Sequence, residues 1–311
     1  MRGSSALRYA EFCGDAAFSR YCRAGQVRLL AINETESVGP AMARYFASKL
    51  WQGEAHFMQI DAHTWFADEW DAQLVAMLRR APSDKPVLST YPPAPVREAV
   101  PPGAGPRMCA SEFSKSPVEA SIVRLGASQR FPTPGATGAD ADAAPVPYAP
   151  FVAAGFFVAP ARFLAEVPFD PFLPWVFMGE EISLSTRLWT HGWDIFAPPT
   201  NVVAHEYRPG RLGLPKFWET VARVFNRPGF NTPLMLLVIE RVKSMVGYPE
   251  SAPARLADPS VLAHLDDYGL GTQRPLADFL EMVNIDMASK KAGAAKWCEE
   301  GVPPPYYASR S

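Results

Sequence analysis

Three groups of residues in this chain are of types that do chemistry. Asp61-Ala62-His63 places a carboxylate and an imidazole two residues apart, directly after the short apolar run His56–Ile60. In extended backbone, side chains two apart share one side of the chain. A carboxylate oxygen and an imidazole nitrogen both ligate divalent cations. His205 follows a second apolar run, 202–204. Glu180 and Glu181 stand after Gly179 at the head of an amphipathic stretch. Each group alone has an ordinary reading. Asp61 can cap a helix beside a surface histidine, His205 can be a structural residue, and carboxylates in a first helical turn are favoured by the macrodipole. Taken together, Asp61, His63 and His205 make a mixed nitrogen and oxygen set with open positions for phosphate oxygens. Such a set suits Mn²⁺ better than Zn²⁺, which prefers a closed tetrahedral shell.

The elements that must position these groups follow from periodicity. Residues 27–32, Val-Arg-Leu-Leu-Ala-Ile, read as a buried strand. A polar loop at 33–38 and Gly39-Pro40 precede a helix over 41–51, since proline is tolerated in a first turn. Residues 56–60 read as a second strand, 70–79 as a helix and 86–90 as a third strand. Strand and helix in alternation predict an α/β sheet with crossover helices. Ligands of such sheets collect at the C-terminal strand ends, where Asp61 and His63 stand. Residues 151–159, 193–197 and 202–204 read as further strands. Helices are predicted over 163–167, 180–190, 216–225, 234–245 and 277–282. Two units are expected: a catalytic domain over 1–208 and a helical C-terminal extension over 209–311 packed on it.

Composition limits the alternatives. Thirty basic residues nearly balance 32 acidic ones among 311, for a net charge of −2, which disfavours a nucleic-acid or polybasic membrane-surface protein. No uncharged apolar run approaches the ~20 residues of a membrane span, and the best candidate, 233–239, falls far short. The first residues carry no apolar signal segment. The four cysteines, Cys13, Cys22, Cys109 and Cys298, form no metal-binding spacing, and free thiols in a reducing, cytoplasmic setting are expected. Proline is high at 32, and twelve of those residues fall between 92 and 150. That region reads as an aperiodic insertion whose most mobile part is 133–145. No P-loop, no GxGxxG after a strand and no GxSxG elbow occurs.

The same residues carry a family resemblance. The ordered runs are Gly39-Pro40-Ala41-Met42-Ala43-Arg44, Trp51-Gln52-Gly53-Glu54, Gln59-Ile60-Asp61-Ala62-His63-Thr64-Trp65-Phe66 and Trp70-Asp71. They continue with Val87-Leu88-Ser89-Thr90-Tyr91-Pro92-Pro93, Ala153-Ala154-Gly155-Phe156 and Val167-Pro168-Phe169-Asp170-Pro171. Phe177-Met178-Gly179-Glu180-Glu181, Arg187-Leu188-Trp189-Thr190-His191-Gly192-Trp193-Asp194, His205, Tyr207 and Tyr268-Gly269-Leu270-Gly271-Thr272-Gln273-Arg274 complete them. Over roughly residues 22–290 the chain resembles the GT-A-type polypeptide N-acetylglucosaminyltransferases, whose best-known members modify a hydroxyproline.

The resemblance implies a GT-A-like, Rossmann-like α/β core and a retaining transfer of a sugar, GlcNAc first, from a UDP-sugar donor. The acceptor is a hydroxyl on a protein, a glycan or a small molecule. It implies a cation, Mn²⁺ or Mg²⁺, held by Asp61, His63 and His205. It places Arg44 near the donor and Asp61, makes Glu180 and Glu181 the acidic pair at the sugar and acceptor end, and lines that pocket with Trp189 and Trp193. Ala62 stands where the family has serine, on the side away from the metal. Nothing in residues 1–26 resembles the family's opening strand, with its Ser-Tyr-Arg-Asp-like motif. The chain therefore either begins late relative to the family or is a shortened member with an altered donor site. The competing function is a non-catalytic relative that binds without transferring.

Overall fold

A computed structural model describes residues 5–32, 36, 38–115, 121–128, 145–207 and 232–308. The helix expected over 216–225, most of the 33–38 loop and residues 133–144 lie outside them.

The chain opens with helices α1 (Ser5–Gly14), α2 (Ser19–Arg23) and α3 (Pro40–Ser48), then strands β1 (His56–Ile60) and β2 (Thr64–Phe66). Helix α4 (Trp70–Arg80) leads to β3 (Pro86–Ser89), β4 (Ala110–Phe113), β5 (Val123–Gly126) and β6 (Phe156–Pro160). Next come α5 (Phe163–Glu166), α6 (Glu180–Thr190), β7 (Asp194–Phe196) and β8 (Val203–His205). The C-terminal part holds α7 (Thr232–Val246), α8 (Leu265–Tyr268), α9 (Leu276–Met282), β9 (Ile285–Asp286), β10 (Lys291–Ala292), α10 (Lys296–Glu300) and α11 (Pro305–Ala308).

The α/β class expected from the pattern is what the structure has. The main sheet has the order β1-β6-β3-β7. It is mixed: β6 runs antiparallel to both β1 and β3, and β3 runs parallel to β7. Strands β1 and β3 are therefore not neighbours, because β6 returns between them. Both central strands read as unbroken apolar runs because both of their faces are covered. On one face, Leu74, Met77 and Leu78 of α4 meet Leu88, Val158 and Phe196. On the other, Leu184 and Leu188 of α6 meet Val87, Phe157 and Trp193. The opposite side of α6 is covered from the C-terminal part, where Ile182 and Trp189 join Val246, Tyr248 and Phe279 in one cluster. Helix α6 is thus buried along almost its whole length.

Four sequence expectations are corrected. Residues 27–32 form no strand, and Leu29, Leu30 and Ile32 are exposed at 39%, 45% and 45%. Their apolar run is the signal of a buried strand, but here Arg28 ties the segment to the Leu50 carbonyl and the Glu54 carboxylate instead. The run 151–159 is strand only from Phe156, because residues 153–155 turn back on themselves through the bridge between Ala153 and Phe156. The 92–150 region holds a regular hairpin, β4 with β5, paired from Ala110↔Gly126 to Phe113↔Val123. The cysteines are not free thiols: Cys13 bonds Cys22, and Cys109 bonds Cys298 across 189 residues. Among the described residues no helix is long and apolar enough to cross a membrane.

Candidate active site

Two consecutive elements, α3 and β1, meet helix α6 from far along the chain at the turn 153–155. Helix α3 brings Arg44, the end of β1 brings Asp61, and the head of α6 brings Glu180 and Glu181. The short antiparallel pair β2–β8 completes the corner, with Thr64 opposite His205.

Asp61 leaves β1 with its N–H on the Gly155 carbonyl at 3.0 Å. Its own carbonyl accepts from Thr64 Oγ1 at 2.8 Å. His63 then takes a left-handed conformation, φ 63°, which sharpens the corner between β1 and β2. Gly155 permits the carboxylate to lie close, since a Cβ there would stand 3.1 Å from Asp61 Oδ2. His63 accepts from the Glu206 N–H at 3.1 Å through its carbonyl, and the His205 N–H donates to the Pro93 carbonyl at 2.9 Å. The His205 and Tyr207 rings meet edge to face at 4.6 Å. Asp61, His63 and His205 therefore share one corner. Among the described residues, however, no three His, Cys, Asp or Glu side chains converge as a metal-binding group.

Arg44 is the hub of the buried charges. It pairs with Glu180, lies 3.5 Å from Asp61 Oδ1, and donates to the Ala154 carbonyl at 3.1 Å. Gln59, two residues before Asp61, donates to the same carbonyl. Glu180 is buried and Glu181 half-buried. Burial raises the Glu180 carboxyl above its ordinary range, and the Arg44 charge opposes that rise. Glu181 has different partners. Tyr91 donates to both of its oxygens at 2.9 and 2.8 Å, and the Ala154 N–H donates to Oε1 at 2.8 Å. With burial dominant, the Glu181 carboxyl is pushed up to about 7. The pair therefore divides into one acid with a guanidinium partner and one with neutral donors, which is the kind of divergence seen where two acids hold different roles. Burial and the neighbouring Glu181 charge raise the Tyr91 phenol far above its usual range, so it stays protonated and donates.

The head of α6 is locked in place. Gly179 takes φ 97°, and a Cβ there would stand 3.0 Å from Val242 and 3.4 Å from Ile122. Ser185 Oγ donates to the Glu181 carbonyl at 2.7 Å and accepts from the Val152 N–H at 3.0 Å. These bonds staple the first turn of the helix to Val152, just before the 153–155 turn.

Trp189 and Trp193 are not in this pocket. Trp189 lies eight residues beyond Glu181, about 12 Å further along the helix. Its indole donates to the Pro275 carbonyl at 2.9 Å, and the Trp193 indole donates to Glu166 at 3.1 Å. Both line a small separate cavity with Tyr148, Asp194, Trp297 and Tyr307. Their side chains build the core at the far end of α6. Gln59, Tyr91 and Ala154 are the site members that motif reasoning left without a role. All three lie inside the runs that carry the resemblance, but nothing in those runs shows that Tyr91 reaches across 90 residues to Glu181.

A family model described as Glycosyltransferase (GlcNAc) matches residues 5–289. Among solved structures, the chain is similar to one described as GalNAc-T7 with UDP, GalNAc and Mn²⁺, with 17% identity and a TM-score of 0.43. That likeness covers 93% of this chain and 47% of the other, so the chain spans about half the length of that structure. No curated protein matches the chain.

Proposed function

Since the chain belongs to the glycosyltransferase (GlcNAc) family, we propose that it transfers a sugar, GlcNAc, from a UDP-sugar to a hydroxyl acceptor with retention, aided by Mn²⁺ or Mg²⁺. The observation that carries this reading is the charge cluster at the 153–155 turn. Three carboxylates, Asp61, Glu180 and Glu181, are gathered around one guanidinium, Arg44. Such a cluster has room for further positive charge, and the donor types at the corner, the Asp61 carboxylate with His63 and His205, are ones that ligate a divalent cation. Those three residues would hold it. A bound cation stabilises negative charge that develops on a departing diphosphate.

The chain's own residues do the rest. Arg44 holds Asp61 beside Gly155 and fixes Glu180. Glu181 accepts a hydrogen bond from the sugar or acceptor hydroxyl. No protein nucleophile is required, because the leaving phosphate can guide the acceptor on the same face. The two disulfides favour an oxidising compartment over the cytoplasm.

A second reading, a module that binds nucleotide without transfer, is favoured by the failure of Asp61, His63 and His205 to converge among the described residues. The test is a UDP-sugar screen with Mn²⁺, read by mass spectrometry, on wild type, Asp61→Ala and His205→Ala. Activity in wild type that is lost in both variants is the expected result. Equal activity in all three removes the metal assignment. Calorimetric binding of UDP and Mn²⁺ without turnover establishes the second reading instead.

A further inference from the structure

Glu180 and Glu181 are neighbours in sequence and at the head of one helix, yet their surroundings differ. Glu180 is buried against Arg44, its cation. Glu181 is more open and has no cation bonded to it among the described residues. Its Oε1 is taken by the Ala154 N–H and by Tyr91. Its Oε2 takes the Tyr91 hydroxyl alone among those residues. A carboxylate offers about four acceptor positions, so Oε2 keeps room for one more donor.

Tyr91 itself sits at a junction. It stands two residues beyond the end of β3, at the start of the Pro-rich segment. The next two residues are clasped to the other side of the corner: Tyr207 donates to the Pro92 carbonyl at 2.7 Å, and the His205 N–H donates to Pro93 at 2.9 Å. The root of the Pro-rich segment thus touches Glu181 through Tyr91 and the candidate metal corner through Pro93.

We propose that Tyr91 is the positioning residue for Glu181, that Glu181 receives the acceptor hydroxyl at Oε2, and that Glu180 serves only to fix Arg44 and Asp61. This rests on the transferase reading above. In the transfer, the acceptor oxygen bonds the anomeric carbon. The bond to the diphosphate breaks with its electron pair, and the acceptor proton leaves to the departing phosphate oxygen. Glu181 orients that hydroxyl and does not keep its proton. Tyr91 holds Glu181 in place, and Ala154 links the two acids, since its N–H holds Glu181 while its carbonyl holds Arg44 and Gln59.

The experiment compares wild type, Tyr91→Phe, Glu181→Gln and the double variant in steady-state transfer, with thermal melts confirming the fold of each. Loss of a hydrogen bond to a charged group is worth about 10- to 100-fold. Tyr91→Phe is therefore expected to lower kcat by that factor with the KM for UDP-sugar within about twofold. The double variant is expected to be no worse than Glu181→Gln alone, because the hydroxyl acts through that carboxylate. A Tyr91→Phe enzyme with wild-type kcat, or a double variant showing the product of the two losses, overturns the proposal.

Carboxyl ¹³C NMR supplies a readout independent of turnover. The groups facing Glu181 are Tyr91, the Ala154 N–H, Glu180, Arg44 and Tyr207. Removing the phenolic donor alone moves the Glu181 titration upward. A titration that stays in place overturns the positioning role. If wild type transfers nothing from any UDP-sugar while the titration moves, the hold of Tyr91 on Glu181 stands and the transferase reading falls.

Discussion

The two ends of helix α6 differ in how their charges are matched. At the far end, Asp194 is saturated. Arg274 pairs with it at 2.7 Å, Ser83 donates at 2.6 Å, and the Tyr307 hydroxyl reaches the same carboxylate. Arg274 lies in turn over the Trp189 ring at 4.7 Å, and the Cys109–Cys298 bond clamps the neighbouring core. At the near end, Arg44 alone faces Asp61 and Glu180, and Glu181 makes do with neutral donors. A buried charge without full compensation costs stability, and a fold keeps it where it is used. The matched end builds the core, and the unmatched end is where the proposed site lies.

That contrast can be broken from either side. The largest effect is expected at the matched end. Replacing Cys109 and Cys298 by serine frees a loop closed across 189 residues, and chain entropy puts the loss at about 5 kcal/mol. Thermal and denaturant unfolding measure it, and transfer per folded molecule is expected to remain. Next is the near end. Asp61→Ala is expected to cost about 10²- to 10³-fold in transfer, or roughly 3–4 kcal/mol of transition-state stabilisation. Its melting temperature is expected to change little, because Asp61 is partly exposed. A variant that unfolds instead would make Asp61 a structural residue and remove the contrast.

Asp194→Ala should destabilise by about 2–3 kcal/mol, since it leaves the largely covered Arg274 guanidinium without its carboxylate partner. Denaturant midpoints check this, with kcat unchanged at temperatures where the variant is folded. Smaller again is the pH effect. Burial pushes the Glu181 carboxyl up to about 7 and the proposed role uses its carboxylate, so kcat should be flat above that pH and fall about tenfold per unit below it. The stability effect has the opposite sign. A carboxyl raised from 4.5 to about 7 binds its proton more tightly when folded, so it subtracts stability as pH rises through that window. Glu181→Gln should therefore melt higher than wild type at pH 8 and alike at pH 4. The smallest effect belongs to Trp189→Phe, with transfer within about twofold and about 1–2 kcal/mol of lost packing. A large change in KM for the donor would return Trp189 to the ligand pocket.

Much of this was legible in the residues. The apolar run in His56–Ile60, the spacing in Trp70–Arg80 and the apolar positions in Glu180–Thr190 report local geometry, and the elements form where those patterns stand. The candidate chemistry was legible too, because Asp61, His205 and Glu180 with Glu181 all fall at element ends. What was not legible depended on distant partners. Residues 27–32 carry as strong an apolar signal as β1, yet a strand forms only where an edge accepts it, and Leu30 and Ile32 stay exposed. Trp189 and Trp193 lie close to Glu181 in sequence, but the axial rise of α6 carries them to the opposite end of the helix.

By itself, then, the sequence determined the elements, the family and the residue types at the site, since those rest on short-range periodicity and ordered motifs. The tertiary structure alone decided the pairings of Cys109 with Cys298, Arg44 with Glu180, and Tyr91 with Glu181. Adjacent glutamates have nearly the same local sequence. They become different acids only because a guanidinium 136 residues away packs against one and a phenol 90 residues away against the other.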